Sequence, residues 1–219
     1  MKVGTDGVLL GAWTSVENEP KNILDIGAGT GLIALMLAQR SSAEMIDAVE
    51  IEAGAYEQCV ENFEASAWGD RLFCYHASLA EFVEELEEQY DLIVSNPPFY
   101  AEEQSGKDPI RDRARQNQFL PFEELLRGVS ILLSTQGCFT TIIPYNEEKA
   151  FVKLAVEKGL YPHRITRVKG NPKVAAKRSL LAFGRDEQAV VYSELVIEIG
   201  RHEFTQEYRS LTQDFYLKM

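Results

Sequence analysis

Asp25-Ile26-Gly27-Ala28-Gly29-Thr30-Gly31 follows the short apolar run Asn22-Ile23-Leu24 and precedes an apolar stretch, Leu32 to Gln39. It reads as a buried strand that turns sharply into a helix. Glycines at 27, 29 and 31 let the chain turn tightly and let a ligand approach the backbone at the helix amino end, where unpaired N–H groups gather. The spacing Gly-x-Gly-x-Gly is one residue shorter than the dinucleotide fingerprint, so the loop alone says little. Glu50 adds to it. It stands 19 residues past Gly31, at the end of the next strand-like run, where a carboxylate takes ribose hydroxyls. Ile51 beside it can lie against an adenine.

Outward from the loop, strand-like and helix-like segments alternate. Strands are expected at Asn22–Ile26, Met45–Ile51, Leu72–His76, Leu92–Ser95 and Gly137–Pro144. Helices are expected at Leu32–Gln39, Ala53–Ala65, Ser78–Glu88 (Ser78 as its cap), Phe122–Leu133 and Glu147–Lys158. Tyr161–Lys169 and Ser179–Phe183 read as two strands with no full helix between them. Such a series folds as a doubly wound, mostly parallel sheet with right-handed crossovers, ending in a hairpin-like pair. With 219 residues, no repeat and no linker, one domain spanning 1–219 is expected.

Tyr90-Asp91-Leu92-Ile93-Val94 runs into Ser95-Asn96-Pro97-Pro98-Phe99-Tyr100. The prolines fix φ and remove N–H donors. The Asn96 amide oxygen and the Pro97 carbonyl can then face one planar –NH2 group, with Phe99 offering a stacking face. The segment suits an amine carried on a planar π-system. After it comes a long polar connection, Ala101 to Leu120, with Arg111, Arg113 and Arg115 at alternate positions. A connection this long is usually functional, and these arginines suit phosphate.

Composition narrows the partners. The net charge is −12, but it is unevenly spread. Residues 1–100 hold 18 Asp and Glu against 4 Lys and Arg, a net of −14. Residues 149–185 hold 10 Lys and Arg against one acid, Glu157, a net of +9. That asymmetry is the footprint of one face meeting a polyanion. Lys169, Lys173, Lys177 and Arg178 are the candidate phosphate contacts. Cys59, Cys74 and Cys138 are scattered, and the histidines form no ligand pair, so neither zinc nor a disulfide framework is expected. A reducing cytoplasm is expected. No apolar run has the length of a membrane span, and Gly7 to Trp13 lacks the features of a signal peptide. Nothing fixes the oligomeric state, and a monomer is the simplest expectation.

Three motifs in this order, Leu24 to Gly31, Val49-Glu50-Ile51-Glu52 and Ser95 to Tyr100, resemble the S-adenosylmethionine-dependent methyltransferases that modify exocyclic amines. Met1-Lys2-Val3-Gly4-Thr5-Asp6-Gly7 through Trp13, together with Glu194 to Ile197 and Leu211 to Leu217, resembles the opening and closing segments of the bacterial tRNA1(Val) adenine-N6 methyltransferase family. The resemblance covers nearly the whole chain.

It implies a class I methyltransferase fold: a Rossmann-like, doubly wound, mostly parallel seven-stranded sheet with a C-terminal antiparallel strand. It implies tRNA as substrate, modified at an adenine N6 beside the anticodon. It places the cofactor against Lys2, Thr5, Asp6, Asp25, Gly27, Ala28, Gly29, Gly31, Glu50, Ile51, Ser78, Leu79 and Asn96. It gives Asn96, Pro97 and Phe99 the catalytic roles, with no metal. The motifs of the clamp and the loop fit other acceptors too: rRNA guanine N2, DNA adenine or a protein glutamine amide. Two departures stand out. Ser78 occupies the position where the family commonly has an aspartate for the cofactor's adenine. Relatives usually carry a further stretch before Met1, which raises the expectation that Met1 is an internal methionine.

Overall fold

The computed structural model describes residues 4–85, 88–98, 120–201 and 203–216. Ten strands are described: β1 (Asn22–Ile26), β2 (Met45–Glu50), β3 (Leu72–His76), β4 (Tyr90–Ser95), β5 (Leu133–Pro144), β6 (Tyr161–Lys169), β7 (Arg178–Gly184), β8 (Val191–Val196), β9 (Glu198–Gly200) and β10 (Glu203–Phe204). The described helices are α1 (Thr5–Trp13), α2 (Leu32–Arg40), α3 (Ala53–Glu64), α4 (Leu79–Glu85), α5 (Phe122–Leu132), α6 (Glu148–Glu157) and α7 (Gln206–Thr212). Among the described residues no helix is long and apolar enough to cross a membrane.

The main sheet has eight strands in the order β3-β2-β1-β4-β5-β7-β6-β8, while β9 and β10 pair separately. Only β7 in it runs against its neighbours, pairing antiparallel with both β5 and β6. The doubly wound, mostly parallel reading therefore holds. The sheet has one strand more than the seven expected, because β8 adds to the open edge of β6 in parallel. Its sequence, Val191-Tyr192-Ser193-Glu194, is exposed throughout and carries no buried alternation to signal a strand.

Alternate residues of each strand feed two apolar layers, as the period of two requires. Ile23, Leu92, Ile142 and Leu180 pack with α1, α2 and α3 through Leu10, Leu37 and Phe63. Leu24, Ile93, Ile143 and Leu181 pack on the other face with α4, α5 and α6 through Phe82, Val129 and Phe151. The apolar stripe of α5 (Leu125, Leu126, Val129, Leu132) follows helical spacing and is fully covered.

The opening segment is the main addition to the sequence reading. Thr5 to Trp13 form α1, and every residue from Gly7 to Trp13 is buried. A helix apolar all round must be enclosed. Gly11 allows this on one side, since a Cβ there would lie 2.7 Å from Met36 Sδ. Trp13 Nε1 donates to Thr166 Oγ1 at 2.9 Å, and the Arg164 guanidinium lies 3.8 Å over the Trp13 ring. Val8 and Ala12 also meet Leu211 and Phe215 from the last described elements.

Candidate functional site

The strand order reverses beside β1, whose neighbours are β2 on one side and β4 on the other. In open sheets of this kind the crevice outside the carboxyl ends at that point takes ligands. A cleft of about 790 Å³ opens there.

Its floor begins with the glycine loop. Gly27, Gly29 and Gly31 all have positive φ (71°, 60° and 78°). The loop is tied down by Gly27 N and Ala28 N donating to Val49 O, and by Asn62 Nδ2 donating to Thr30 O at 2.8 Å. A Cβ on Gly27 would meet nothing within 4 Å, so that position is open to an incoming group. Gly31 is the reverse. A Cβ there would lie 2.5 Å from Phe63 Cε1 and 2.8 Å from Cys59 Sγ.

Glu50 closes β2 and is 8% exposed. Gly29 N donates to its Oε2 at 2.7 Å and Glu52 N to its Oε1 at 2.8 Å. Each oxygen keeps a second lone pair, so the carboxylate is fixed but still able to accept. Ile51 follows it and is 48% exposed, an apolar surface at the cleft wall. Glu52 caps α3, accepting from Gly54 N and Ala55 N at 3.1 and 2.6 Å.

The Asn-Pro-Pro segment leaves the adjacent strand at the same level. Ile26 and Ser95 are register partners, and Ser95 Oγ donates to Ile26 O at 2.9 Å. Asn96, Pro97 and Pro98 line the cleft opposite Glu50 and Ile51, with Gly4, Thr5 and Asp6 on its rim. The Asn96 amide packs toward α1, its Nδ2 lying 3.9 Å from where a Cβ on Gly7 would stand. Ser78 and Leu79 complete the wall.

Ser78 is bound in a reciprocal cap. Glu81 N donates to Ser78 Oγ at 3.2 Å, while Ser78 N and Oγ donate to Glu81 Oε2 at 2.9 and 2.7 Å. The expected cap at Ser78 is present, and its hydroxyl proton is committed to Glu81.

Asp25, Ala28 and Gly31 do not line the cleft. Asp25 lies beneath the loop with no exposure, so direct contact with a ligand gives way to support of the α2 start. Its Oδ2 accepts from Ala34 N at 3.2 Å, and its Oδ1 has no partner in the structure. Burial pushes its pKa up to about 7, the Ala34 N–H opposing this and the Glu50 charge adding to it.

The basic candidates separate. Arg178 Nε donates to Asp6 Oδ2 at 2.8 Å, so its guanidinium ties the cleft rim together. Lys169 Nζ pairs with Glu194. Lys173 and Lys177 are exposed on the turn between β6 and β7. Lys2, Phe99, Arg111, Arg113 and Arg115 lie outside the described residues.

Sequence reading missed Thr30, Gln58, Leu120 and Glu124 in the cleft wall. Thr30 sits within the glycine loop and was within reach of that argument. Leu120 and Glu124 come back to the cleft only after the long 101–119 connection, and local pattern carries no signal of such a return. With Asp6, Glu50, Glu52 and Glu124 in its lining, the cleft favours a cationic ligand.

The residues fit S-adenosylmethionine. An open glycine cradle, a fixed strand-end carboxylate, an adjoining exposed apolar side chain and an acidic lining match its amino-acid, ribose, adenine and sulfonium parts.

Residues 7–116 match the family model described as methyltransferase small domain. Over its whole length the chain is 62% identical to a tRNA1(Val) (adenine(37)-N6)-methyltransferase of Flavobacterium johnsoniae, spanning 94% of that protein. It is 46% identical, again over its whole length, to the protein of that name from Bacteroides fragilis, spanning 92% of it. Among solved structures, one described as a predicted O-methyltransferase from Agrobacterium tumefaciens superposes with a TM-score of 0.75 at 20% identity, covering 95% of this chain and 96% of that one. A ribosomal protein L11 methylase from Lactobacillus delbrueckii subsp. bulgaricus superposes with a TM-score of 0.57 at 17% identity, covering 82% and 77%. Likeness at these identities concerns the fold alone.

Proposed function

The chain belongs to the tRNA1(Val) (adenine(37)-N6)-methyltransferase family, and from that we propose that it transfers a methyl group from S-adenosylmethionine to N6 of adenine 37 in a valine tRNA. The observation that carries this reading is the register pairing of Ile26 with Ser95. It starts the glycine loop and the Asn-Pro-Pro segment side by side, one strand spacing of about 4.8 Å apart. A donor held on the first meets an acceptor held on the second.

The acceptor nitrogen is a poor nucleophile, because its lone pair is delocalised into the purine. In this reading the Asn96 side-chain oxygen and the Pro97 carbonyl accept its two N–H groups and favour a more tetrahedral nitrogen. The lone pair then points along the line of attack. S-adenosylmethionine supplies a sulfonium-bound methyl, whose C–S bond breaks as the N–C bond forms. Orientation and preorganised acceptors do the work, so no side chain need act as a strong base. The nitrogen becomes cationic on transfer and loses its proton afterwards. Phe99 supplies the stacking face for the purine, whose departure from its neighbours costs little in a single-stranded loop.

Glu50 is assigned to the ribose hydroxyls, Ile51 to the face of the cofactor adenine, and Thr5, Asp6 and the glycine loop to the methionine end. Lys173, Lys177 and the 111–115 arginines are assigned to tRNA phosphates. One sheet carries β1 to β8, which favours a single domain, and a monomer is the simplest arrangement. A tRNA substrate and three free cysteines favour the cytoplasm.

The test is incubation with labelled S-adenosylmethionine and unmodified total tRNA, for the wild type and Asn96→Ala, followed by digestion to nucleosides. Label in N6-methyladenosine from the wild type, with at least a hundredfold slower transfer by the variant, is expected. Label that enters rRNA or protein instead, with tRNA unmodified, would move the acceptor elsewhere.

A further inference from the structure

Two exposed tyrosines and a half-buried arginine meet on the sheet face that carries α6. The Arg167 guanidinium lies 5.4 Å from the ring centre of Tyr145 and 5.6 Å from that of Tyr192. The rings are 39% and 62% exposed. Arg167 does not float between them. Its Nη2 and Nε donate to Glu148 at 2.8 and 3.2 Å, and Ser179 Oγ donates to the same carboxylate at 2.5 Å. Glu148 is itself buried. Burial works against its ionisation, but the bonds from Arg167 and Ser179 outweigh this and hold its carboxyl below the usual range. The result is a planar cation locked in place over two tyrosine faces.

Neither packing nor methyl transfer needs this arrangement. Tyr145 and Tyr192 leave much of their rings in water, although an aromatic side chain is among the most favourable groups to cover. The surroundings indicate what covers them. Tyr145 N donates to Lys177 O at 3.1 Å, which fastens the ring to the exposed basic turn that carries Lys173. The stretch 149–185, in which Arg167 lies, has a net charge of +9. Aromatic and guanidinium planes beside exposed lysines are what unpaired nucleotides stack on, with the cations taking the phosphates. Position agrees. Tyr145 follows directly on Pro144, at the end of β5, next to the strand that ends at Ser95 and leads into Asn96. Arg167, on β6, is three strand spacings from β4, about 14 Å. That is within reach of a neighbouring loop nucleotide.

We propose that Tyr145, Arg167 and Tyr192 form a stacking seat for an unpaired base of the RNA substrate, a few nucleotides from the adenine that is methylated. The seat would fix how the loop enters, and it rests on the RNA-methyltransferase reading given above.

The experiment places 2-aminopurine singly at each loop position of an unmodified valine anticodon stem-loop, other than the target, and records fluorescence on binding with S-adenosylhomocysteine present. Wild type is compared with Tyr145→Ala/Tyr192→Ala and Tyr145→Phe/Tyr192→Phe. One position is expected to be quenched by the wild type and the Phe pair but not by the Ala pair. The Ala pair is expected to bind RNA about fivefold to a hundredfold more weakly, with S-adenosylhomocysteine affinity unchanged as the check on folding. Equal RNA binding and equal quenching by the Ala pair, while the wild type methylates the stem-loop, overturns the seat alone. A wild type that neither binds nor methylates any tRNA overturns the seat together with the reading beneath it.

Discussion

Asp6 and Arg178 stand 172 positions apart in the chain and meet at 2.8 Å on the rim of the cleft. One comes from α1, the other from the first residue of the single antiparallel strand in the main sheet. Because β7 runs against its neighbours, its amino end reaches the edge where the parallel strands finish. The pair thus couples the two halves of the molecule at the point where a donor's charged end is assigned.

Arg178→Ala tests that coupling. Both side chains are about one-third exposed, so the pair is worth no more than about 1 kcal/mol. Calorimetric titration is expected to show S-adenosylmethionine bound up to about fivefold more weakly, with a small change in melting temperature. Affinity equal to that of the wild type would separate Asp6 from the donor site.

Two glycines of one loop should respond differently to alanine. At Gly31 a methyl group meets both positive φ and the Phe63 and Cys59 side chains. Strain and overpacking together cost about 2–5 kcal/mol, and the melting temperature should fall by many degrees. At Gly27 only the φ of 71° is unfavourable, about 1–2 kcal/mol, but the methyl enters the open cradle. Gly27→Ala should therefore lose cofactor affinity out of proportion to its stability. Equal stability losses in the two variants would refute the packing argument for Gly31.

Asp25 sets a pH dependence. Its folded pKa is raised from 3.8 to about 7, so the folded state holds the proton more tightly than the unfolded chain does. The associated stability is fully present below pH 3.8 and is lost as pH rises through about 7. Asp25→Asn keeps the shape and can still accept from Ala34 N. Its melting temperature relative to wild type is expected to rise between pH 5 and pH 8. A relative melting temperature that stays flat over that range would mean that Asp25 is already ionised in the folded state.

Ser78 can face the cleft only as an acceptor, since its proton is held by Glu81. An adenine amino group suits that acceptor; a carbonyl oxygen at the same ring position does not. Wild type should favour S-adenosylhomocysteine over its inosine counterpart. Glu81→Ala frees the hydroxyl to turn and donate, and should reduce that preference roughly two- to tenfold. A preference unchanged by the substitution would mean that Ser78 does not touch the base.

Legibility in the sequence followed the range of the interactions. The strands β1 to β7 and the helices between them announce themselves by local period and by glycine and proline. The glycine loop, Glu50 and the Asn96 segment were legible because strand ends carry them. The Asp6 to Arg178 pair and the enclosure of α1 rest on partners more than 150 positions away, such as Thr166 for Trp13. Local pattern does not contain them. The family resemblance implied a ligand contact for Asp25, whose side chain the structure encloses beneath the glycine loop. At β8, exposure on an open edge removed the apolar signal.

The enclosure of α1 has a consequence in time. In synthesis Thr166 and Arg164 follow Val8, Leu9 and Leu10 by some 150 residues, and Leu211 follows by about 200. At roughly 5–20 residues per second, these apolar side chains wait about ten to forty seconds for their last neighbours. During synthesis α1, which carries Thr5 and Asp6, can meet α2 early but lacks Thr166, Arg164 and Leu211 until late. The rim that α1 supplies is therefore braced only once the strands carrying Arg164, Thr166 and Arg178 have been made.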